Sequence, residues 1–263
     1  MKAKMVVVAA LMVLIASTAF AASFFGPAEP AAPAGKFAIG AGYFYYDDKF
    51  KNEDTVKFQQ NQAFIDLSYG LAPDWEAYLR LGGADAKIKN DAEFSDSMKF
   101  YSGLGIRGVL YRFNPQFSIG GNLYFDYVWQ DYEDSTQVIE PVQVGGRSYD
   151  VIVTEKLKAK TPWSVNLALV AQWMPDKKVV VYGGPKFFYG SFKGEATVTG
   201  SATVGGVPVA VSLSDSSTYE TKNWIGGVVG VRFAIPGAEQ LKFGVETQFT
   251  DRWSVGGMLH YSF

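Results

Sequence analysis

RWSVGGMLHYSF, Arg252 to Phe263, changes face at every residue until the chain ends on an aromatic ring. The odd positions are Trp253, Val255, Gly257, Leu259, Tyr261 and Phe263. The even positions are Ser254, Gly256, Met258, His260 and Ser262. A period of two is that of a β-strand, whose side chains point alternately to opposite sides. A strand at the edge of a soluble sheet ends in polar residues or frays, so an aromatic terminus on a greasy face calls for apolar surroundings.

The same alternation recurs upstream. Phe37 to Tyr45, Ala63 to Tyr69, Trp75 to Leu81, Met98 to Leu110 and Phe117 to Trp129 each carry one apolar face. So do Trp163 to Trp173, Val181 to Tyr189, Ile225 to Phe233 and Leu241 to Phe249. With the last stretch this makes about ten strands, each near the length that a tilted membrane-spanning strand needs. Proline-containing turns at 71–74, 114–115, 175–177 and 236–238 follow the even-numbered strands. The alternate connections, 47–57, 85–96, 131–160 and 193–218, are long and polar, and only 250–252 is tight. Short turns at one end and long loops at the other is the asymmetry of an outer-membrane barrel. Outward rings fall at both ends: Tyr69, Trp75, Trp173, Tyr261 and Phe263 beside the turns, and Tyr45, Trp129, Trp163, Tyr189 and Trp253 beside the loops. Amphipathic rings gather at a membrane–water boundary. The fold read from the sequence is therefore all-β: a transmembrane antiparallel up-and-down β-barrel of about ten strands, with eight or twelve as the alternatives.

The N-terminus supplies the compartment. Lys2 and Lys4, the apolar run from Met5 to Ile15 and Ala19-Phe20-Ala21 read as a signal peptide over 1–21. Residues 22–35 contain SFFGPAEPAAPAG, which predicts an extended, mobile periplasmic linker. The barrel then occupies 36–263. The 263 residues include 28 glycines, 15 tyrosines, 20 phenylalanines and no cysteine, with a formal charge of -2. That composition favours an all-β chain, leaves no disulfide framework, and gives no basic footprint for nucleic acid.

The signal peptide, the strand–turn rhythm from Lys36 to Phe263, the YGLAPDWEAYLRLG stretch (Tyr69 to Gly82) and the LHYSF end together resemble the small outer-membrane β-barrels of the opacity-protein and OmpA transmembrane type. Ten strands exceed the eight usual there. The resemblance implies residence in a bacterial outer membrane of Gram-negative type after signal-directed export, with its lipid as partner. It also implies that Leu259, Tyr261 and Phe263 form the signal read by the barrel-assembly machinery.

The predicted inner face carries Asp66, Glu76, Arg80, Lys99, Arg107, Asp126, Lys186, Arg232, Lys242 and Glu246, with bulky Tyr78, Tyr101, Tyr124 and Trp224. Inward glycines such as Gly103 and Gly105 leave room for the rings. Ten strands enclose at most a narrow lumen, so this mixed-sign set reads either as an internal network of paired charges or as the lining of a small pore. No catalytic group is expected: the one histidine, His260, sits near the turn end without a nucleophile partner. Asp131, Glu133 and Asp134 match no calcium-loop spacing, and no metal or cofactor is implied. Gly145-Gly146 and Gly205-Gly206, each flanked by alternating valines, predict β-hairpins above the membrane. Their edges are candidates for adhesion or for an extracellular ligand. Deleting Phe263 is expected to impair assembly, read as loss of heat-modifiable gel migration; normal insertion of the truncated chain would contradict that reading.

Overall fold

Backbone pairing turns the alternation into a closed wall. The computed structural model describes residues 23–51, 55–89, 93–144, 147–204 and 207–263. The expected leader over 1–21 and the glycines Gly145, Gly146, Gly205 and Gly206 lie outside these described residues. Among the described residues there are twelve strands: β1 (Phe37–Lys51), β2 (Thr55–Ala72), β3 (Trp75–Lys89), β4 (Glu93–Arg112), β5 (Phe117–Val128), β6 (Tyr132–Val144), β7 (Arg147–Asp176), β8 (Val179–Val204), β9 (Val207–Thr221), β10 (Ile225–Ile235), β11 (Ala238–Phe249) and β12 (Trp253–Ser262).

Ten of them form an antiparallel ring in the order β1, β2, β3, β4, β5, β7, β8, β10, β11, β12. The seam runs from Ala38↔Ser262 to Tyr45↔Val255, and the Phe263 N–H donates to the Phe37 carbonyl at 3.1 Å. This is the transmembrane barrel that the alternation predicts, and β6 and β9 raise the strand count to twelve. Phe37, Leu67, Leu104 and Leu259 are exposed on its outer face, while Asp66, Arg80, Asp126 and Glu246 are buried inside. Of the expected outer rings, Tyr69, Trp129, Trp173, Tyr189, Trp253, Tyr261 and Phe263 are exposed, and Tyr45 and Trp75 are half-buried. Trp163 is buried because Phe125 and Tyr189 close over it, at 6.4 and 5.8 Å between ring centroids.

All four connections expected as long polar loops are largely strand; that over 85–96 extends β3 and β4, paired from Ala86↔Asp96 to Lys89↔Glu93. β1 and β2 stay paired to Lys51↔Thr55. β6 pairs with β7 from Tyr132↔Ala159 to Val144↔Arg147, and β9 pairs with β8 from Ser191↔Glu220 to Val204↔Val207. At its foot β9 also joins β1 at Phe50↔Thr221. β6 meets β4 through side chains: the Ser95 N–H donates to Asp134 at 2.8 Å and the Glu133 N–H to Asp96 at 2.7 Å. The wall therefore continues above the membrane as a collar, with β6 and β9 replacing β5 and β10 to β12. Here the alternation keeps its period but reverses its sign. Phe50, Val56, Phe58 and Ile88 point inward, and Lys49, Lys57 and Lys87 outward. Water replaces lipid outside the collar, so its apolar side chains turn into the bore.

Inside the membrane ring, glycine makes room for aromatics. A Cβ on Gly103 or Gly105 would overlap the Tyr124 hydroxyl or the Tyr78 ring, and these two rings stack at 5.6 Å. Trp224, expected inside, precedes the start of β10 at Ile225 and is largely exposed.

The collar hairpin is tied by Glu133, which contacts the Lys156 ammonium at 2.6 Å and that of Lys158 at 2.5 Å. These two cations hold its carboxyl down at about 2, against an ordinary value of 4.5. A depressed carboxyl gives its full contribution above the ordinary value and loses it as pH falls through the lowered one. Amide protection of β6 and β7 should be flat from pH 7 to about 5 and decline between about 4.5 and 2, whereas Glu133→Gln should remove that decline.

Candidate functional site: a filled lumen

Of residues 22–35, expected as a mobile periplasmic linker, Ser23 to Ala32 lie inside the barrel and Pro33 to Gly35 are exposed at its mouth. Ser23, Phe24, Phe25, Ala28, Ala31 and Ala32 are all at most 2% exposed. The segment enters at the short-turn end, where the Gly35 N–H donates to the Gly70 carbonyl at 2.8 Å, and its first described residue, Ser23, lies beside Arg80. Its composition suits a spacer and a filler equally. Pro27 and Pro30 are buried and carry no N–H that the lumen would leave unpaired, and alanine fits a narrow bore.

The wall satisfies five of the N–H groups that remain. Glu246 accepts the Phe25 and Gly26 N–H groups at 3.0 and 2.8 Å, and Glu76 accepts those of Ala31 and Ala32 at 2.7 and 2.8 Å. The Gln172 side chain accepts from the Glu29 N–H at 3.1 Å. Facing donors hold the carbonyls. Gln248 donates to Ser23 O, Arg80 to Phe24 O, and Arg107 and Asn122 to Phe25 O, at 2.7–3.1 Å. Arg232 and Ser262 donate to Glu29 O and Ala31 O at 2.9 and 2.7 Å. Ionised partners make most of these bonds stronger than neutral ones. Gly26 turns with φ 74°, which favours glycine, and a Cβ there would also meet the Arg107 guanidinium. Gly120 makes a second close approach, leaving the space that the Ala28 methyl occupies.

The ten charges predicted to face inward separate by role. Arg80 pairs with Asp66 at 3.0 Å and lies 4.2 Å from the Phe64 ring centre; Arg107 pairs with Glu76. Both pairs are fully buried, and both arginines also hold the segment. Lys186 donates to Gln248 at 2.9 Å, and Asp126 accepts from Ser164 at 3.0 Å. Glu246 bonds the segment and the Tyr182 hydroxyl rather than a cation. Lys99 sits higher, paired with Asp96 at 3.0 Å, and Lys242 lies at the short-turn mouth. His260 faces the lumen with its Nε2 3.7 Å from Asp66. Leu259, Tyr261 and Phe263 are on the outer face. Glu133, Asp134 and Asp131 are taken up by Lys156 and Lys158, by the Ser95 N–H and by the Thr161 N–H respectively.

Above Ser23 the bore is closed by one apolar cluster. It includes Phe24, Phe44, Tyr46, Phe64, Tyr101 and Phe188 and continues into the collar through Phe50, Phe58 and Phe192. The glutamines and asparagine that clasp the segment stand out in the sequence only as inward polar positions. The partner that gives them a purpose has no periodicity of its own.

No family model and no curated protein matches the chain. Solved structures similar to it are membrane barrels. The translocator domain of autotransporter NalP from Neisseria meningitidis is 11% identical, with 87% of this chain and 88% of that one covered at a TM-score of 0.40. An outer membrane channel from Pseudomonas putida F1 is 10% identical, with 91% and 99% covered at 0.42. The outer membrane protease OmpT from Escherichia coli is 11% identical, with 92% and 99% covered at 0.38. Likeness at this level carries no argument about what the chain does.

Removing one clasping carboxylate should loosen the filling. With no native cysteine, Ala31→Cys reports on burial alone, and in the folded barrel it should resist maleimide. Adding Glu76→Gln leaves Arg107 buried without its counter-charge, at a cost of about 3–5 kcal/mol. That change should make the thiol reactive and lower the urea midpoint.

Proposed function

We propose that the chain is an outer-membrane β-barrel of a Gram-negative-type envelope, exported through its 1–21 leader, with a structural role as a filled and closed barrel. The observation that carries this reading is the occlusion of the lumen, by residues 23–32 toward the short-turn end and by the aromatic cluster above. A ten-stranded bore is narrow even when empty. In this reading Asp66, Glu76, Arg80, Arg107 and Glu246 hold the filling instead of lining a solute path. Lipid is the partner along the outer belt, and the barrel-assembly machinery reads Leu259, Tyr261 and Phe263. The resemblance to the opacity-protein and OmpA type is kept at the level of architecture, because the ring has ten strands.

The test is single-channel recording of the refolded chain Ala22 to Phe263 in a planar bilayer, with heat-modifiable migration verifying the fold. Silence is expected. Reproducible steps whose ion selectivity shifts in Arg107→Ala and Lys186→Ala would establish a pore instead.

A second reading, ligand binding at the cell surface, has its own support. The collar carries an open cavity of about 200 Å³, with Val56, Ile88, Leu157, Phe192 and Tyr219 on its apolar side and Lys158, Glu195, Asp215 and Ser216 on its polar side. Its size suits a single ring bearing a polar group, so saturable NMR shifts at Leu157 and Tyr219 on adding phenol would favour it.

A further inference from the structure

A second cavity, of about 220 Å³, opens at the short-turn mouth between the inserted segment and the wall. Glu29 and Pro30 of the segment form one side, and Met174, Lys177, Lys178, Arg232 and Lys242 are among the residues of the other. Its charges do not balance. The Glu29 carboxylate is already engaged by Arg112 at 3.0 Å, and Lys178 is paired with Glu239 at 2.8 Å. Asp176 accepts the Lys178 and Val179 N–H groups, which fixes the turn. Arg232, Lys242 and Lys177 have no carboxylate within 4.0 Å among the described residues, although Arg232 is only 4% exposed. Arg232 directs one N–H to the Glu29 carbonyl at 2.9 Å, and a guanidinium has five.

A buried cation without a counter-charge is costly. Here one stands with a second and a third around a space large enough for a ligand. We propose that this mouth cavity is a phosphate-binding site, in which Arg232 and Lys242 grip the oxyanion and Lys177 and Lys178 close the solvent side. A planar donor fork beside compact ammonium groups matches the several acceptor oxygens of a phosphate group. Because the cavity opens at the membrane rim, the phosphate is either a free ion or the headgroup of an anionic lipid in the adjacent leaflet. The site exists only with the segment seated, so it rests on the filled-barrel reading; channel steps would overturn that reading, whereas loss of anion binding in a silent barrel would overturn the site alone.

The experiment is NMR on the refolded full chain in uncharged detergent, following the amides of Lys178 and of Ala234, whose N–H donates to the Lys178 carbonyl beside the site at 2.7 Å. One arm titrates inorganic phosphate into phosphate-free buffer, and the other adds phosphatidic acid to the micelle. Saturable shifts are expected in at least one arm. Shifts with phosphate identify a free anion, and shifts with phosphatidic acid alone identify a headgroup seat. Lys242→Gln should weaken binding by about tenfold, and Lys177→Gln, an exposed turn position with no packing role, should weaken it in the same direction. Lys36→Gln, exposed at the same end but outside the cavity, should leave it unchanged. Shifts in neither arm, or equal loss in Lys36→Gln, would overturn the site.

Discussion

Everything in this barrel depends on the rule that a backbone N–H or C=O facing hydrocarbon must have a partner within the protein. Each orphaned group there costs several kcal/mol. The rule forces the ring shut, and the bond from Phe263 back to Phe37 is where it is met last. It applies again inside the lumen, where water is also excluded. The inserted segment has two buried prolines at positions that would otherwise need acceptors, and two glutamates each take a consecutive pair of the N–H groups that remain. Wall and filling are two solutions of one hydrogen-bonding problem.

Buried charge follows from the same constraint. Arg80 and Arg107 would be expensive to bury as isolated ions, and an ion pair alone does not fully offset the desolvation. Each therefore makes a carboxylate pair, lies near aromatic rings and donates to a segment carbonyl. The charges act less as a conduction path than as anchors for an irregular segment that belongs to the same chain.

How much was legible follows from this. The ring could be read because outward apolar residues alternate with inward polar ones over ten stretches, and the register of Tyr261 and Phe263 followed from that phase. The collar could not, because above Tyr46 and below Phe58 the phase reverses while the period stays at two. Lysines on the outer positions then look like loop. The inserted segment was illegible for a different reason. Proline and alanine without periodicity describe a tether in water as well as a column in a bore, and only the inward Glu76, Glu246, Gln172 and Gln248 hinted that a ligand was required.

The seated segment also changes the mechanics of the wall. A hollow ring of ten strands can flatten into an ellipse with little change in its hydrogen bonds, because each pair only tilts slightly against the next. A ring packed around a central column cannot, since any flattening presses on side chains at crystal-like density and low compressibility. Lateral pressure from the bilayer is then carried in compression by Phe25, Ala28 and Tyr182 rather than in bending by the strands. The barrel behaves as a solid rod of fixed cross-section.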